Sequence, residues 1–503
     1  MVTDKKICLI TPPSVFLLDE RVFPNLGILK IAAILEKNNY PVDVLDLSGV
    51  ENFIETLEVY LSKNDDLIFG LTTTTPQLPA TTKVIDCLRA KKPESKIILG
   101  GPHVTLAVSA QKLEEKRNIK DRAHNSVDQL LSKADVIVSG DGEMAIFEAL
   151  KEDADPIIDA DEPKKGMFMN NKMYEDTPYP ARHLIDLKTY KYQIESKVST
   201  SLIAQLGCPF HCGFCGGRNS KSLRYIRSRS KESIIEEMRQ LHINYGFTGF
   251  MFYDDELNVN KGMVALMNAI TDLQNELGVE FRLRGFVKSE LFTDEQAKAM
   301  YRAGFRWLLT GFESGSPQIL ENMKKRATRE DNTRTVKIAK ENNLKVKALM
   351  SVGHPGESAQ SIDDTRDWLI EVEPDDFDCT IITTYPGTPY YDEAIKRSPN
   401  ENVYTYKAEN GDLLHAYDLD FTKIEDYYKG DPDGGYRAYV FTDHLSSEEI
   451  VQKRHEVEEY VREKLNIPFN PAGSSVHFEH SMGMSAKELP SFILRQSSPN
   501  IKV

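Results

Sequence analysis

Two long stretches of the chain alternate short apolar runs with segments whose apolar residues return every three or four positions, and a shorter stretch between them does neither. In the first, the runs at 6–10, 42–45, 67–71, 96–99 and 136–139 have the length of strands buried on both faces. Segments such as 27–38 and 78–90 lie between them with the spacing of helices that bury one side. Strands alternating with helices predict an α/β fold, here a doubly wound, Rossmann-like parallel sheet over residues 1–151. Residues 152–198 hold several prolines and acidic residues and predict a linker with little regular structure.

The alternation resumes over 199–396, with strands at 200–205, 249–253, 280–286, 306–311, 345–352 and 378–384 and helices such as 230–245, 293–303 and 358–372. Six such units predict a partial (β/α)6 barrel with its chemistry at the carboxyl ends of the strands. Over 397–503 the repeat stops. This region is rich in tyrosine and charge, holds one clear helix at 446–465 opened by Ser446-Ser447-Glu448-Glu449, and reads as an α-rich cap or substrate-facing extension.

Composition narrows the setting. The chain has 503 residues, 40% hydrophobic and 28% charged, which suits two or three globular domains with sizeable cores. Its 77 acidic against 62 basic residues give a net charge of −15, the wrong sign for wide contact with nucleic acid, so a small-molecule or peptide substrate is favoured. No run is apolar enough for long enough to span a bilayer and the first residues lack a signal-peptide pattern, so the sequence predicts a cytoplasmic protein without membrane contact.

Three of the six cysteines fall within eight residues, as Cys208, Cys212 and Cys215. Random placement would give that spacing in roughly one such chain in a thousand. Cys8, Cys87 and Cys379 lie in apolar stretches and predict ordinary buried thiols. Structural zinc wants four ligands, and no second pair lies nearby; His211 sits next to Cys212, a poor arrangement for one tetrahedral ion. An iron–sulfur cubane held by only three thiolates leaves one iron open. The loop follows the strand at 200–205, at the mouth of the expected barrel.

The Cys-x3-Cys-x2-Cys spacing, with Phe214 before the last cysteine, resembles the signature of the radical S-adenosylmethionine superfamily. Phe252-Tyr253-Asp254-Asp255-Glu256, Gly311-Phe312-Glu313-Ser314-Gly315, Gly353-His354-Pro355-Gly356-Glu357 and Tyr385-Pro386-Gly387-Thr388-Pro389 resemble its motifs at the second, fourth, fifth and sixth strands. The resemblance implies a 4Fe-4S cluster on the three cysteines, whose open iron chelates S-adenosylmethionine. Reduction then cleaves the sulfonium to a 5′-deoxyadenosyl radical. It also implies adenosylmethionine contacts from Phe214, Asp254, Arg284, Glu313 and Ser314, each of which reads otherwise as a barrel-core hydrogen-bond partner, and an electron donor such as a flavodoxin or ferredoxin.

In a doubly wound sheet the ligand lies beyond the carboxyl ends of the strands. Those places hold Thr11-Pro12-Pro13, Thr72 to Thr75, Gly100-Gly101-Pro102-His103 and Gly140-Asp141-Gly142-Glu143, each readable as an ordinary turn or as a ligand loop. With Pro24-Asn25-Leu26-Gly27-Ile28 they resemble the cobalamin-binding domain that precedes the barrel in one branch of the superfamily. That resemblance implies cobalamin contacts from Thr11, Pro12, Pro13, Asn25, Gly27, Thr73, Thr74, Gly100, Gly101, Pro102, His103, Gly140 and Glu143. The chain has no Asp-x-His-x-x-Gly to replace the cofactor's own base. In the branch it resembles, methylcobalamin and the radical together methylate an unactivated carbon or phosphorus. Related enzymes use the same cofactors for cyclisation, ring rearrangement or oxidation, and a non-catalytic cobalamin or iron–sulfur sensor is an alternative of another class. Methylthio transfer to transfer RNA would need further front-domain cysteines and a basic tail, which this chain lacks. The cluster Phe478-Glu479-His480-Ser481-Met482-Gly483 reads as a pocket lining or a surface turn.

Overall fold

The structure is a computed structural model, and it describes residues 6–14, 20–50, 52–190, 192–424 and 437–467. The polar cluster at 478–483 lies outside them. The front strands are β1 (Ile7–Thr11), β2 (Val42–Asp46), β3 (Ile68–Thr72), β4 (Lys96–Gly100) and β5 (Val136–Ser139). Their residues alternate between two cores: Ile7, Leu9, Ile98 and Val138 face α1 (Leu26–Lys37) and α6 (Gly142–Ala149). Cys8, Ile10, Phe69, Leu99 and Ile137 face α2 (Phe53–Lys63), α3 (Leu78–Lys91), α4 (Pro102–Lys116) and α5 (Arg122–Leu131). Burial on both faces is what makes these strands read as unbroken apolar runs.

All the pairings are parallel, in the order β2-β1-β3-β4-β5-β6. The chain reverses direction across the sheet between β1 and β3, so a crevice opens beyond their carboxyl ends. The sixth strand, β6 (Ile157–Asp159), falls in the stretch expected to be a linker. It is three residues long, with Pro156 before it, and its pairing with Ile137 to Ser139 makes it a strand; so short a run carries no periodic signal.

The second repeat builds β7 (Lys197–Leu202), α7 (Lys231–Tyr245), β8 (Gly249–Phe252), α8 (Met263–Leu277), β9 (Arg282–Gly285), α9 (Asp294–Ala303), β10 (Trp307–Glu313), α10 (Arg329–Glu341), β11 (Lys345–Val352), α11 (Ala359–Val372) and β12 (Asp376–Ile381). The strands pair in parallel as β7-β8-β9 and β10-β11-β12, and bridges Leu283↔Phe305 and Phe286↔Leu309 join the two groups into one partial barrel. Val346, Ala348, Met350 and Val352 of β11 enter the core that also holds the helices' apolar residues, while Lys347 and Ser351 alternate with them.

The extension expected to be α-rich contains the anticipated helix, α12 (Ser447–Leu465), and also an antiparallel sheet of β13 (Ile395–Lys396), β14 (Val403–Lys407), β15 (Leu413–Tyr417) and β16 (Val440–Phe441). α12 covers the free edge of β12 with charged side chains. Arg454 donates to the Cys379 carbonyl at 2.6 Å, Glu458 accepts from the Cys379 amide at 2.9 Å, and Arg462 donates to the Phe377 carbonyl at 2.7 Å. Glu458 also binds both arginines. Among the described residues no helix is long and apolar enough to cross a membrane.

Because Glu458 is buried between two buried arginines, Glu458→Leu should destabilise the barrel by about 3 kcal/mol. The check is its urea unfolding transition. Glu276→Ala, which removes an exposed pair with Arg239, should leave that transition unmoved.

Candidate functional site

The cysteine loop is held by backbone contacts to three parts of the barrel. Gly207, which begins it, has φ of 91°, and a Cβ there would lie 2.2 Å from the Tyr225 carbonyl oxygen, so only glycine lets the two chains pass. Cys208 N donates to Leu223 O at 3.1 Å, Gly213 N to Met323 O at 2.8 Å, and Gly217 N to Gly387 O at 2.9 Å, while Tyr390 N donates to Gly213 O at 3.0 Å. Inside the loop, the buried Arg218 guanidinium donates to the carbonyls of Cys208, Phe210 and Gly216.

Cys212 is buried, and Cys208 and Cys215 are half-buried by surface exposure. Burial raises the Cys208 thiol and pushes Cys215 up to about 12, with nearby Arg218 pulling against it. Without a metal the Cys208 and Cys215 thiols stay protonated, and a ligand that binds them must displace the protons. Among the described residues no three His, Cys, Asp or Glu side chains converge on one ion. A cubane does not ask for that, because each thiolate takes its own iron. The donor set therefore fits a cluster better than zinc.

Beside the loop, Glu313 ends β10 in a left-handed conformation, φ 67°. Its carboxylate accepts from Lys325 Nζ and from Ser351 Oγ, each at 2.9 Å. Ser351 is bonded to His354 Nε2 at 2.8 Å, and the His354 ring meets Phe214 edge-on at 5.3 Å. Lys288 donates to the Lys325 carbonyl at 2.9 Å and lies over the Phe210 ring at 4.2 Å. Glu256 is pushed up to about 7 by burial against the pull of Lys325 and Lys288, and its Oε2 has no partner.

Phe214 and Glu313 therefore meet at the cysteine loop. Asp254, also raised to about 7 by burial, spends Oδ2 on the Ala204 amide at 3.1 Å and leaves Oδ1 buried without a partner. Arg284 is buried and donates to the Tyr192 hydroxyl at 2.7 Å. Ser314 is bonded to Thr365 at 3.0 Å and accepts from the Ser316 amide at 3.1 Å, at the start of the helix Pro317–Asn322. Neither Lys288 nor Lys325 was singled out in the sequence. Lys288 lies just past β9, where barrel position could have flagged it.

The front sheet presents its carboxyl ends to this mouth. Leu106 of α4 packs so tightly that a Cβ on Gly387 would lie 2.7 Å from it and one on Gly216 3.2 Å. Asp161, just past β6, accepts from Ser220 Oγ at 2.7 Å, Lys221 N at 3.1 Å, and Ser222 N and Oγ at 2.7 and 2.6 Å. Asp141 forms an ion pair with Arg227. The stretch after the cysteines is thus pinned to the front domain.

The front-domain candidates ring the crevice, and several are engaged in building its loops. Thr11 ends β1 and Pro12 and Pro13 follow it, all three buried, and the Pro12 carbonyl accepts from Gln77 Nε2 at 2.8 Å. Thr73 is bonded to Thr81 at 2.9 Å, and Thr74 is tied to Gln77 at 3.0 Å. Gly100 accepts from Thr73 N, Gly101 has φ of 98° with room for no Cβ beside Thr73, and Pro102 opens α4. Asn25 caps α1 by accepting from Ile28 N at 3.1 Å, and Gly27 is exposed in its first turn. Gly140 has φ of 92° against Asp161, and Glu143 is buried in the first turn of α6. His103 is fully buried and bonded to Thr75 at 2.9 Å through Nδ1, while its Nε2 has no partner; burial lowers it to about 4, so it is neutral. The Ser139 hydroxyl, at the end of β5, is also buried without a partner. Close backbone approach and spare polar atoms suit a bulky, amide-rich ligand such as cobalamin.

Comparison with known families matches the radical SAM superfamily over residues 202–369 and the B12 binding domain over residues 19–121. The chain is a radical S-adenosylmethionine enzyme with a B12-binding front domain. An uncharacterized methyltransferase of Pyrococcus horikoshii is 26% identical over 78% of this chain and 83% of its own length. The anaerobic magnesium-protoporphyrin IX monomethyl ester cyclase of Cereibacter sphaeroides is 23% identical over 68% of this chain and 57% of its own. Among solved structures, the methyltransferase TsrM from Kitasatospora setae with cobalamin and [4Fe-4S] cluster bound superposes with a TM-score of 0.65 at 16% identity, over 96% of this chain and 93% of that one. That likeness extends the shared fold across both domains and the extension.

In this radical SAM enzyme, Cys208→Ala, Cys212→Ala or Cys215→Ala should each remove most of the iron bound after anaerobic reconstitution, whereas Cys8→Ala and Cys379→Ala should leave it in place; iron analysis and the absorption spectrum read the difference. His103 is depressed from 6.5 to about 4, so the unfolded state gains its proton first and stability falls as pH drops through that window. The effect is at most about 3 kcal/mol. His103→Gln should lose less stability than the wild type over the same pH window, measured by thermal unfolding.

Proposed function

We propose that this radical SAM enzyme is a cobalamin-dependent methyltransferase acting on an unactivated carbon or phosphorus of a small-molecule or peptide substrate. The observation that carries this reading is the contact of Leu106, on the B12-binding domain, with Gly216 and Gly387 beside the cysteine loop, which sets the two cofactor regions against each other across one mouth. When bound, a 4Fe-4S cluster with S-adenosylmethionine would supply the radical, and cobalamin the transferable methyl group.

In this reading Cys208, Cys212 and Cys215 hold the cluster. Arg218 rigidifies the loop and offsets the thiolate charge. Glu313 and Phe214 face adenosylmethionine, with Lys325, Ser351 and His354 fixing the Glu313 carboxylate in one orientation. Asp254 and Glu256 each bring a carboxylate oxygen that lacks a partner. Arg284 keeps a buried Nε without a hydrogen-bond partner beside its bond to Tyr192, while the Ser314 hydroxyl is engaged with Thr365. The loops at Thr11 to Pro13, Gly100 to His103 and Gly140 to Glu143 cradle cobalamin. The packed domain junction keeps water from the reacting centre.

Likeness to the Cereibacter cyclase supports a second reading, radical cyclisation or oxidation without methyl transfer. Turnover with S-adenosylmethionine labelled in its methyl group separates the two. Methylation should place the label in a product and form one S-adenosylhomocysteine and one 5′-deoxyadenosine per methyl transferred. Formation of 5′-deoxyadenosine with the label recovered only in the methionine released and in unreacted adenosylmethionine would favour the second reading.

A further inference from the structure

A cluster on the cysteine loop must receive its electron from outside, and electron transfer through protein weakens steeply with distance, so a donor has to reach this loop. The surface there differs in charge from the rest of the chain. Arg224 and Arg326 pair with no carboxylate among the described residues, and the buried Arg218 adds its charge beneath the same loop. Arg224 donates to the Pro209 carbonyl at 3.2 Å and contacts His211, in the middle of the loop. The bond from Gly213 N to Met323 O lays the run Lys324-Lys325-Arg326 along the same loop.

The backbone of that run sorts its three cations. Lys324 and Arg326 have φ of 55° and 67°, a conformation that side-chain-bearing residues resist. As a result Lys325 turns inward to Glu313, and its neighbours remain towards solvent. Arg326 is exposed, and Lys324 is half-exposed with Glu409 as its partner. On the other side of the loop Lys221 is exposed and paired with Glu162. Next to it the apolar side chains of Tyr225 and Ile226 are 47% and 37% exposed. A small apolar centre with a basic rim has the composition of a protein-docking patch.

We infer that Lys221, Arg224, Tyr225, Ile226, Lys324 and Arg326 form the docking surface for an acidic one-electron donor protein of the flavodoxin or ferredoxin kind. The donor is oxidised by one electron and the cluster reduced by one, with no group transferred. Charge argues for an acidic partner and fixes its orientation: a chain of net charge −15 repels such a partner over most of its surface and accepts it where cations face solvent. The inference rests on the reading of the cysteine loop as the cluster site.

The test uses reconstituted full-length enzyme, a reduced acidic flavodoxin as the probe, and the double variant Lys221→Glu/Arg326→Glu. Arg302→Glu, an exposed arginine bonded to Asn268, serves as the control for net charge. At low salt the double variant should bind flavodoxin at least about tenfold more weakly than wild type and lose flavodoxin-driven adenosylmethionine cleavage in proportion, while dithionite with methyl viologen drives cleavage at the wild-type rate. Arg302→Glu should bind as wild type does. Unchanged flavodoxin affinity in the double variant, or equal weakening by Arg302→Glu, overturns the docking surface. Wild-type enzyme that binds flavodoxin through this face but cleaves no adenosylmethionine with dithionite would instead sink the cluster reading while leaving the surface standing.

Discussion

The site depends on one steric constraint: neighbouring side chains must lie directly on bare backbone where the cysteine loop, the segment after the sixth barrel strand and α4 of the front domain meet. Gly213, Gly216, Gly217 and Gly387 leave no room for a Cβ against Tyr390, Leu106 and Leu223. Because the glycines allow contact, Gly213 and Gly217 can bond to Met323, Tyr390 and Gly387, and the loop is fixed at three points. Everything else at the mouth is oriented from there. Lys325 reaches Glu313 because Met323 is tied to the loop, and Leu106 can seat the front domain because Gly216 and Gly387 are bare.

Around that point the polar interactions divide into two kinds. Asp161 with its four donors and Arg227 with Asp141 join the domains through bonds made within the protein. Asp254, Glu256, His103 and Ser139 keep buried polar atoms without partners. Leaving such groups unpaired costs stability, and these four lie beside the two cofactor regions. The joining contacts serve the architecture, and in the proposed reading the unpaired oxygens and nitrogen of these four would receive a ligand's polar groups.

Most of the fold was legible in the sequence because periodicity reports burial, and the strands here are buried on both faces. β6 was missed because three residues cannot show a period, and the extension's sheet because its tyrosines obscured an alternation. A signal for that sheet did exist: Asn410-Gly411 lies between β14 and β15, and Gly411 has φ of 100°. At the candidate site, spacing and motif position select the cysteines, Phe214 and Glu313, and the structure brings these residues together. Motif position also makes Arg284, Ser314, Asn25 and Thr74 contact candidates; the structure bonds Arg284 and Ser314 to distant residues and Asn25 and Thr74 within their own turns, which motif position does not show. Lys325 could not have been read from sequence, since its direction depends on left-handed turns at Lys324 and Arg326.

α12 has a bearing on where the barrel ends. A barrel with six strands has an open seam, and an unpaired strand edge invites another strand to join. By meeting the amide and carbonyls of β12 with arginine and glutamate side chains, α12 saturates that edge without extending the sheet. The barrel therefore ends at six strands on this side with its last edge already occupied, and no second chain can add a strand to β12 without first displacing a buried helix.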